Sequence, residues 1–511
     1  MHKLEIDKSI IVKNYTRLYY FLMMTGRALI ILCLLILTLS ISNASELKWK
    51  YKTKNEIMSV SMSSDGRYVA VGSYDHHVYF FDRNGNLLWK YKVDGPVISL
   101  VSSDGNYVAA GSTGNAFLKA VWTRIYFFNK HGELLWKYES DKGSVGCIAI
   151  TPDGRYIVAG TQGVWDWDRE KWIAKPTIFL LDRNGKLLWK REVNNSVEAI
   201  AICPDGEYIA ARTGYTTTYA KPMLYVFDKN GRILWKIPKR ALWPLSYIIK
   251  MSPDGKYVVA NVKDFGCDAL YFFDKNGKLL WKYIYPDKHL YYISSIDVSR
   301  HYVVMSVVSV VDKSVLFFNK DGKLLWKLKV EPTNLTDIGM IRKLKAVISD
   351  NEEYIAIVGA NGLVILDKNG NLLWRYEFKD GNAVDISSDG RYVVAGDVYG
   401  NVYLFEINLT YCYLNVNSNP EGAEIYVDGL FVGVTPKIVS LSQGYHELKI
   451  VKKGYHEFYK NINVTPDMLG KTYGMKVKLK LAQTETMKRT PGFEIVLAAI
   501  GILIAYVLRR R

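Results

Sequence analysis

The stretch that decides the fold is SSDGRYVAVGSYDHHVYFFDRNGNLLWKYK, which occupies residues 63–92. It contains three short apolar runs, and Asp-Gly and Asn-Gly dipeptides lie beside them. These dipeptides tolerate positive φ and favour tight reversals between strands, so the runs are expected to be strands joined by turns. Its ending, two apolar residues followed by a tryptophan and a cation, recurs at intervals of 45 to 53 residues. The tryptophans of these endings are Trp89, Trp136, Trp189, Trp235, Trp281, Trp326 and Trp374.

A second recurring feature is a tyrosine after the upstream turn. These tyrosines are Tyr68, Tyr107, Tyr156, Tyr208, Tyr257, Tyr302, Tyr354 and Tyr392. A unit of four short strands in about 40–50 residues is typical of a β-propeller. The last unit, at 383–407, lacks its fourth strand, and the segment around Trp49 at 47–51 has the sequence of that strand.

The sequence therefore predicts an all-β fold, with an eight-bladed β-propeller at 45–410 whose last blade is closed by the N-terminal strand. Closure of this kind leaves no free sheet edge. Trp49 and the seven repeated tryptophans are expected to pack between neighbouring blades.

The repeat resembles two known families. The D-G-x-Y-V-A half resembles WD-repeat propellers, and the D-x-N-G-x-L-L-W-K half resembles pyrroloquinoline-quinone (PQQ) dehydrogenases and related propellers. The second resemblance implies a quinone held with calcium in the central channel, beside two adjacent cysteines. This sequence has no adjacent cysteines. We therefore expect no cofactor, neither PQQ nor calcium, and a quinoprotein-like oxidoreductase stays as the alternative.

After Cys412 the repeat ends and a different pattern begins. Residues 413–455 include the four-residue sequence Pro-Glu-Gly-Ala at 420–423 and a Val-Asp-Gly at 427–429. This region resembles the PEGA domain, which implies a small β-sandwich of surface proteins at 411–482. In HELKIVKK, the alternation places Leu448 and Ile450 on one strand face. No catalytic activity is implied by this family.

The N-terminal 44 residues contain an apolar run at 28–41 behind a basic segment. The small residues Ser42 and Ala44 favour a signal peptide that is cleaved after Ala44, and an uncleaved anchor is the alternative. Either arrangement sends the following chain out of the cytoplasm.

A linker at 483–490 leads to an apolar C-terminal run that ends in three arginines. With Pro491, Gly492 and Phe493, this segment at 491–511 resembles the archaeal PGF sorting signal. That resemblance implies cleavage near the motif and transfer to a membrane lipid at the cell surface. A plain C-terminal transmembrane helix is the alternative. Four triplets have the pattern of N-glycosylation acceptors. They begin at Asn194, Asn334, Asn408 and Asn463.

Composition and side-chain spacing exclude several functions. The net charge of +17 is dispersed over single lysines, so we expect no nucleic-acid partner. The four cysteines outside the leader lack metal or redox spacing, and we expect free thiols, with disulfides as the alternative. These are Cys147, Cys203, Cys267 and Cys412. The adjacent pair His76-His77, preceded by Asp75, is expected to lie in an exposed loop, and no metal site is predicted.

The residues that interrupt the repeat are the candidate binding site. Five tryptophans and two tyrosines lie outside repeat positions, mainly in enlarged loops. Up-down strand order brings these loops to one face of the propeller, where Asp166, Asp168 and Asp75 could accept hydrogen bonds from sugar hydroxyls. Exposed aromatic rings suit a glycan or a protein partner, and a self-packed loop cluster is the alternative. The aromatic candidates are Trp122, Trp165, Trp167, Trp172, Trp243, Tyr215 and Tyr219.

The sequence thus predicts a non-enzymatic archaeal cell-surface protein, extracytoplasmic and anchored to the membrane, whose propeller binds an envelope glycan or a surface protein. A scaffold for the assembly or sensing of exported proteins is a further alternative.

Overall fold

A computed structural model describes most of the chain. The described residues are 45–112, 122–166, 168–214, 222–238, 247–264, 267–286, 291–309, 313–330, 344–407, 411–465, 468–469 and 471–482. All the secondary-structure elements assigned in these ranges are β-strands. Within them, no helix is long and apolar enough to span a bilayer.

Strands are numbered in chain order. The first nineteen are β1 (Glu46–Lys52), β2 (Ile57–Met62), β3 (Tyr68–Ser73), β4 (His77–Asp82), β5 (Leu87–Lys92), β6 (Val97–Val101), β7 (Tyr107–Ser112), β8 (Thr123–Asn129), β9 (Leu134–Ser140), β10 (Ser144–Ile150), β11 (Tyr156–Gln162), β12 (Val164–Asp166), β13 (Lys171–Ala174), β14 (Thr177–Asp182), β15 (Leu187–Glu192), β16 (Val197–Ile202), β17 (Tyr208–Thr213), β18 (Met223–Asp228) and β19 (Ile233–Pro238).

The remaining strands complete the propeller and form the C-terminal domain. They are β20 (Ile249–Met251), β21 (Tyr257–Asp264), β22 (Cys267–Asp274), β23 (Leu279–Ile284), β24 (Tyr291–Val298), β25 (Tyr302–Ser309), β26 (Lys313–Asn319), β27 (Leu324–Val330), β28 (Lys345–Ile348), β29 (Tyr354–Gly359), β30 (Gly362–Asp367), β31 (Leu372–Tyr376), β32 (Gly381–Ile386), β33 (Tyr392–Asp397), β34 (Asn401–Glu406), β35 (Tyr411–Asn419), β36 (Glu424–Val427), β37 (Leu430–Val434), β38 (Lys437–Ser442), β39 (Gly444–Val451), β40 (Phe458–Val464) and β41 (Thr472–Lys478).

Apart from the hairpin β12–β13, the strands from β1 to β34 form eight four-stranded antiparallel sheets in the described residues, and we call each of these sheets a blade. Blades 1 and 2 are β2–β5 and β6–β9, and blade 3 is β10, β11, β14 and β15. Blades 4 to 7 follow as β16–β19, β20–β23, β24–β27 and β28–β31. The strands of a blade are lettered a to d in sheet order, and the a strands of successive blades pack against one another.

Blade 8 is closed by the N-terminal strand. Its sheet order is β1-β34-β33-β32, and β1 runs antiparallel to β34 with Trp49 opposite Leu404 and Tyr51 opposite Val402. The predicted closure is therefore confirmed. It pairs the outer edge of β34, which would otherwise expose unpaired backbone groups.

Each repeated tryptophan from Trp49 to Trp326 lies between two blades. Its indole N–H donates to a carbonyl in the c–d turn of the next blade, at 2.7 to 3.1 Å. The turn glycine lies directly beneath the ring: a Cβ on Gly85 would sit 2.6 Å from Cγ of Trp49. Only glycine fits there, because the turn also requires a φ of +86°.

The C-terminal domain consists of two facing sheets. One contains β35 between β38 and parallel β41, and the other has the order β37-β36-β39-β40. Leu448 and Ile450 of β39 are both fully buried in the domain core, as their alternation predicted.

This domain packs against the outer strand of blade 7. Leu373 of β31 is 1% exposed, whereas Leu88, its equivalent in β5, is 45% exposed. The leucine at this position is exposed in the d strand of each of blades 1 to 6. The buried Leu372 and Leu373 of blade 7 therefore mark the contact between the two domains.

Candidate functional site

The b–c and d–a connections lie on one face of the propeller, which we call the b–c face. Their contact is direct in blade 1, where the backbone N–H of Lys54 donates to Asp75 Oδ2 at 3.0 Å. In the same blade, the N–H of Val93 donates to the carbonyl of His76 at 2.8 Å. In blade 1 the b–c and d–a connections therefore belong to one surface.

The most regular feature of this face is the hairpin β12–β13, inserted between the second and third strands of blade 3. Trp165 and Trp172 are paired across the hairpin, with ring centroids 5.1 Å apart and planes at 80°. Edge-to-face pairs of this kind contribute about 0.5–1.5 kcal/mol beyond their buried area. Gly163 lies against Trp172, since a Cβ there would be 2.6 Å from Cζ3. The pair therefore stabilises the hairpin from within.

The turn of the hairpin is shaped by Asp166. Its Oδ1 accepts the backbone N–H groups of Asp168 and Arg169, both at 3.1 Å. Asp168 and Arg169 are exposed, and Ile173 is 58% exposed. The hairpin thus presents an aliphatic side chain and a cation around two half-buried indoles.

Trp122 lies immediately before β8 in blade 2. The guanidinium carbon of Arg124 is 3.9 Å from the ring centroid, a cation–π contact. Arg124 also pairs with Asp94 at 2.8 Å and with Glu139 at 2.9 Å. The hydrogen bond from Tyr126 and the charge of Arg124 lower the pKa of Asp94. Arg124 is therefore fixed over the indole by two carboxylates.

The structure brings together Trp165, Trp172 and Asp166 of the predicted site. The described contacts place Trp122 with Arg124 and record no ring contact with the hairpin. Trp167, Tyr215, Tyr219 and Trp243 lie outside the described residues.

The His76-His77 pair lies beside a carboxylate that is already engaged. Asp75 accepts the backbone N–H of His77 at 3.1 Å and the Tyr79 hydroxyl at 2.7 Å, in addition to the Lys54 N–H. Burial and the hydrogen bond to Asp75 raise the pKa of the Tyr79 hydroxyl. Asp75 therefore organises a turn. In the part of the chain that the structure describes, no group of three His, Cys, Asp or Glu side chains has metal-site geometry.

A buried cation between blades 4 and 5 was missed by the sequence analysis. Arg212 of β17 donates to the backbone carbonyl and to Oδ1 of Asn261, and its guanidinium lies 5.0 Å from the centroid of Tyr247. Burial lowers the pKa of Arg212 to about 10. Four other blades have a tightly packed glycine at this register position, and that break in the repeat was the available signal. These glycines are Gly72, Gly111, Gly160 and Gly396.

Two carboxylates on the a strands of blades 6 and 8 were also not predicted from the sequence. Asp297 Oδ2 accepts the N–H of Ile348 at 3.0 Å, and Asp385 Oδ2 accepts the N–H of Met62 at 2.8 Å. Each therefore links one a strand to the a strand of the next blade. Burial raises the pKa of Asp385 to about 6. The sequence signal for Asp297 and Asp385 was an acidic residue within an otherwise apolar a strand.

Cys147, Cys203 and Cys412 are free thiols, and the side chain of Cys267 lies outside the described residues. Burial raises the pKa of Cys203 to about 12, which keeps it protonated. Two predicted glycosylation positions, Asn194 and Asn463, are exposed. Asn334 and Asn408 lie outside the described residues, as do Ala44 and the motif at 491–493.

Solved propellers resemble this fold at low sequence identity. The Dos1 propeller has a TM-score of 0.53 and 13% identity, covering 71% of this chain and 95% of its own. The C-terminal WD40 domain of Sif2 has a TM-score of 0.53 and 14% identity, covering 71% and 99%. BamB from Moraxella catarrhalis has a TM-score of 0.49 and 16% identity, covering 71% and 100%. The two similarities with a TM-score of 0.53 show the fold alone.

No curated protein matches the chain in sequence. A PEGA domain model matches residues 412–484, and a PGF-CTERM motif matches residues 490–511. The latter is an archaeal surface-anchoring signal, so the protein is extracytoplasmic and anchored to the membrane. The family model described as outer membrane protein assembly factor BamB matches 40–193, 122–290 and 221–420, which together cover most of the chain. The chain therefore belongs to this family of propeller repeats, here joined to a PEGA domain and an archaeal anchoring motif.

Proposed function

We propose that this protein binds another surface protein through the b–c face of its propeller, with the hairpin β12–β13 at the centre of the contact. The observation that carries the proposal is the hairpin itself. It is inserted into a regular repeat, is stabilised by its own tryptophan pair, and presents Ile173 and Arg169 to solvent. Aromatic residues and arginine are enriched among the residues that dominate protein–protein binding energy.

The state of the acids favours a protein over a glycan at this face. Asp166 and Asp75, both predicted to receive sugar hydroxyls, already accept hydrogen bonds from their own loops. Asp168 alone of the three is exposed with no such bond described. Engaged carboxylates keep fewer lone pairs for a ligand, so hydroxyl recognition is disfavoured here. Glycan binding at the hairpin is the competing outcome of the test below.

The family supports the same class of activity. Its description names an assembly factor, and we extend to this chain only the general property of contacting other envelope proteins. In this proposal the anchoring motif holds the chain at the membrane and the PEGA domain, packed on blade 7, stands beside the propeller as a spacer. A C-terminal helix that spans the membrane before processing belongs to the same proposal.

We further propose that the chain acts without catalysis and without a quinone. The purified protein is expected to show no quinone absorbance and no reduction of an artificial electron acceptor after incubation with PQQ and calcium. Dye reduction that depends on both additions would favour the oxidoreductase alternative.

The binding proposal is tested with the full chain in detergent. Ile173→Asp places a charge in the proposed contact without touching the tryptophan pair, and Tyr445→Asp does the same at an exposed position of the PEGA domain. Solubilised envelope proteins are passed over each immobilised variant, and the retained protein is purified and titrated. We expect Ile173→Asp to weaken binding at least tenfold and Tyr445→Asp to leave it unchanged. Retention of polysaccharide instead of protein, lost in Ile173→Asp, would establish the glycan outcome.

A further inference from the structure

The solvent-facing side of strand β39 in the PEGA domain carries the most exposed large apolar side chain of the described residues. This residue is Tyr445, which is 82% exposed. Within the part of the chain that the structure describes, its side chain makes no hydrogen bond, ion pair or ring contact. By comparison, Tyr459 on the neighbouring strand is 53% exposed, and its hydroxyl donates to Glu457 at 2.5 Å. The ring of Tyr445 is therefore available for a contact with a group outside the polypeptide.

The register of the two strands places Asn463 directly opposite this ring. Strands β39 and β40 are antiparallel, with Tyr445 opposite Asn463 and Lys449 opposite Tyr459. Residues that are directly opposite on one face have Cβ atoms about 4.5–5.5 Å apart. The second pair shows the contact that this register allows, because Lys449 Nζ lies 5.3 Å from the centroid of the Tyr459 ring. A group attached to the Asn463 amide would accordingly lie beside the Tyr445 ring.

Asn463 begins a triplet with the pattern of an N-glycosylation acceptor, Asn463-Val464-Thr465. Its first residue is exposed and its third is partly exposed, whereas Val464 between them is 1% exposed. Alternation along the extended chain thus directs only the middle residue, which the pattern leaves variable, into the core. The triplet at 194–196 differs, because its third residue, Ser196, is 5% exposed. At Asn463, both residues that define the acceptor pattern are accessible in the folded chain.

Strand β40 is also the outer strand of its sheet. The sheet order is β37-β36-β39-β40, so no further strand pairs with the far edge of β40 in the described residues. Free edges invite pairing with another chain, and proteins protect them with charges, proline or covering elements. A glycan is bulky and well hydrated, so a glycan attached to this strand would hinder such pairing.

We propose that Asn463 carries an N-linked glycan whose first sugar packs on the ring of Tyr445. The C–H face of a sugar ring is apolar and flat, and it therefore suits the face of a tyrosine while the sugar hydroxyls stay in water. This modification goes beyond the proposed protein contact, because it lies on the PEGA domain and involves none of the hairpin residues.

The attachment is a substitution at the anomeric carbon of a lipid-linked oligosaccharide. Nδ2 of Asn463 forms a bond to that carbon, and the bond between the carbon and the phosphate oxygen breaks. The lipid phosphate leaves with the bonding electrons, the amide nitrogen releases one proton, and no group is oxidised or reduced. Because the chain is extracytoplasmic and anchored to the membrane, Asn463 lies on the side where exported chains meet such a membrane-bound donor.

The experiment compares the full chain from the membranes of an archaeal host with the same chain from bacteria that lack N-glycosylation, both in detergent. Peptide mass spectrometry measures the occupancy of Asn463 in wild type, Thr465→Ala and Asn463→Gln. We expect a glycan mass on the Asn463 peptide of the archaeal wild type. Neither variant should carry it, since Thr465→Ala keeps the asparagine and removes only the acceptor pattern.

Hydroxyl-radical labelling tests the contact with the ring. A sugar on one face of the Tyr445 ring covers about half of its surface, so labelling of Tyr445 should be at least about twofold slower in the glycosylated chain. Tyr459 is the matched control on the same face and should be labelled equally in the archaeal and bacterial chains. Archaeal Thr465→Ala and Asn463→Gln should both show the faster Tyr445 labelling of the bacterial chain.

Two results would overturn the proposal: an unmodified Asn463 in the archaeal chain, or a modified Asn463 with Tyr445 labelled as fast as in the bacterial chain. Asn463→Gln keeps a neutral amide on the surface, so the comparison does not depend on Thr465→Ala folding normally. Ile173→Asp should retain the glycan, which separates this test from the test of the hairpin.

Discussion

At the scale of single residues, the propeller is held together by the contact between a tryptophan and a turn glycine of the next blade. Gly277 has a φ of +86°, and a Cβ added to it would lie 2.8 Å from the Trp235 ring. The tryptophan donates to the carbonyl of Lys275 in the same turn. A side chain at this glycine would meet both backbone strain and a ring that is hydrogen-bonded in place.

We expect Gly277→Ala to lower the free energy of unfolding by about 2–4 kcal/mol, from backbone strain of about 1–2 kcal/mol and overpacking of about 1–3 kcal/mol. Gly255→Ala is the matched control, because it lies at the same blade boundary with a φ of +66° and a nearest contact of 3.3 Å. Chemical denaturation of both variants provides the measurement. Equal losses would show that the ring contact adds nothing.

Asp385 predicts a pH dependence at the residue scale. Its pKa is raised by burial from 3.8 to about 6 in the folded protein, so the folded state retains a proton that the unfolded state loses. Ionisation of this group therefore opposes folding as the pH rises from about 4 to 6, and the cost stays constant above that range. An amide at this position does not titrate.

The stability of Asp385→Asn relative to wild type should accordingly increase between pH 4 and pH 8, by about 2–3 kcal/mol. The comparison is between the two pH values, since the amide also changes the local hydrogen bonds to Met62 and Ile386. Thermal unfolding at both pH values measures the change. A constant difference between variant and wild type would contradict the raised pKa.

At the scale of elements, identical sequence motifs have different surroundings. The LLW motif of β31 repeats that of β5, yet Leu373 is buried where β31 meets the PEGA domain, and Leu88 is exposed. Strand type, turn type and blade order could be predicted from the sequence, because they depend on local periodicity and turn chemistry. The blade against which the PEGA domain packs could not be predicted, because this packing depends on a contact between segments distant in sequence.

Leu373→Ala and Leu88→Ala measure this difference. Burial predicts a loss of about 2–5 kcal/mol for the first and within about 0.5 kcal/mol for the second. Denaturant unfolding gives both values. Similar small losses would mean that the PEGA domain does not cover blade 7 in solution.

The same limit applies to the candidate site. The enlarged loop of blade 3 was predicted from Trp165 and Trp172, but their pairing across a hairpin is a matter of register that the loop sequence leaves open. Arg212 was not predicted, because it replaces a repeated glycine and belongs to no recognisable motif.

At the scale of the whole molecule, β1 joins the two ends of the propeller. Its pairing with β34 makes the ring continuous, and Trp49 donates to the carbonyl of Arg83 across the next boundary.

Removal of Glu46–Lys52 is expected to lower the melting temperature by several degrees or more and to expose β34 as an unpaired edge. Exposed edges pair with other chains, so the variant should form dimers or larger species at concentrations where the full chain is monodisperse. Size-exclusion chromatography with light scattering gives the result. A truncated chain that melts and elutes like the full one would contradict closure by β1.

We propose that the hairpin of blade 3 contacts a protein partner at the cell surface. The most direct measurement is photo-crosslinking in intact cells, with the crosslinking amino acid at position 173 and, as control, at position 445. We expect one discrete protein adduct at position 173 and none at position 445. No protein adduct at position 173, or the same adducts at both positions, would contradict it.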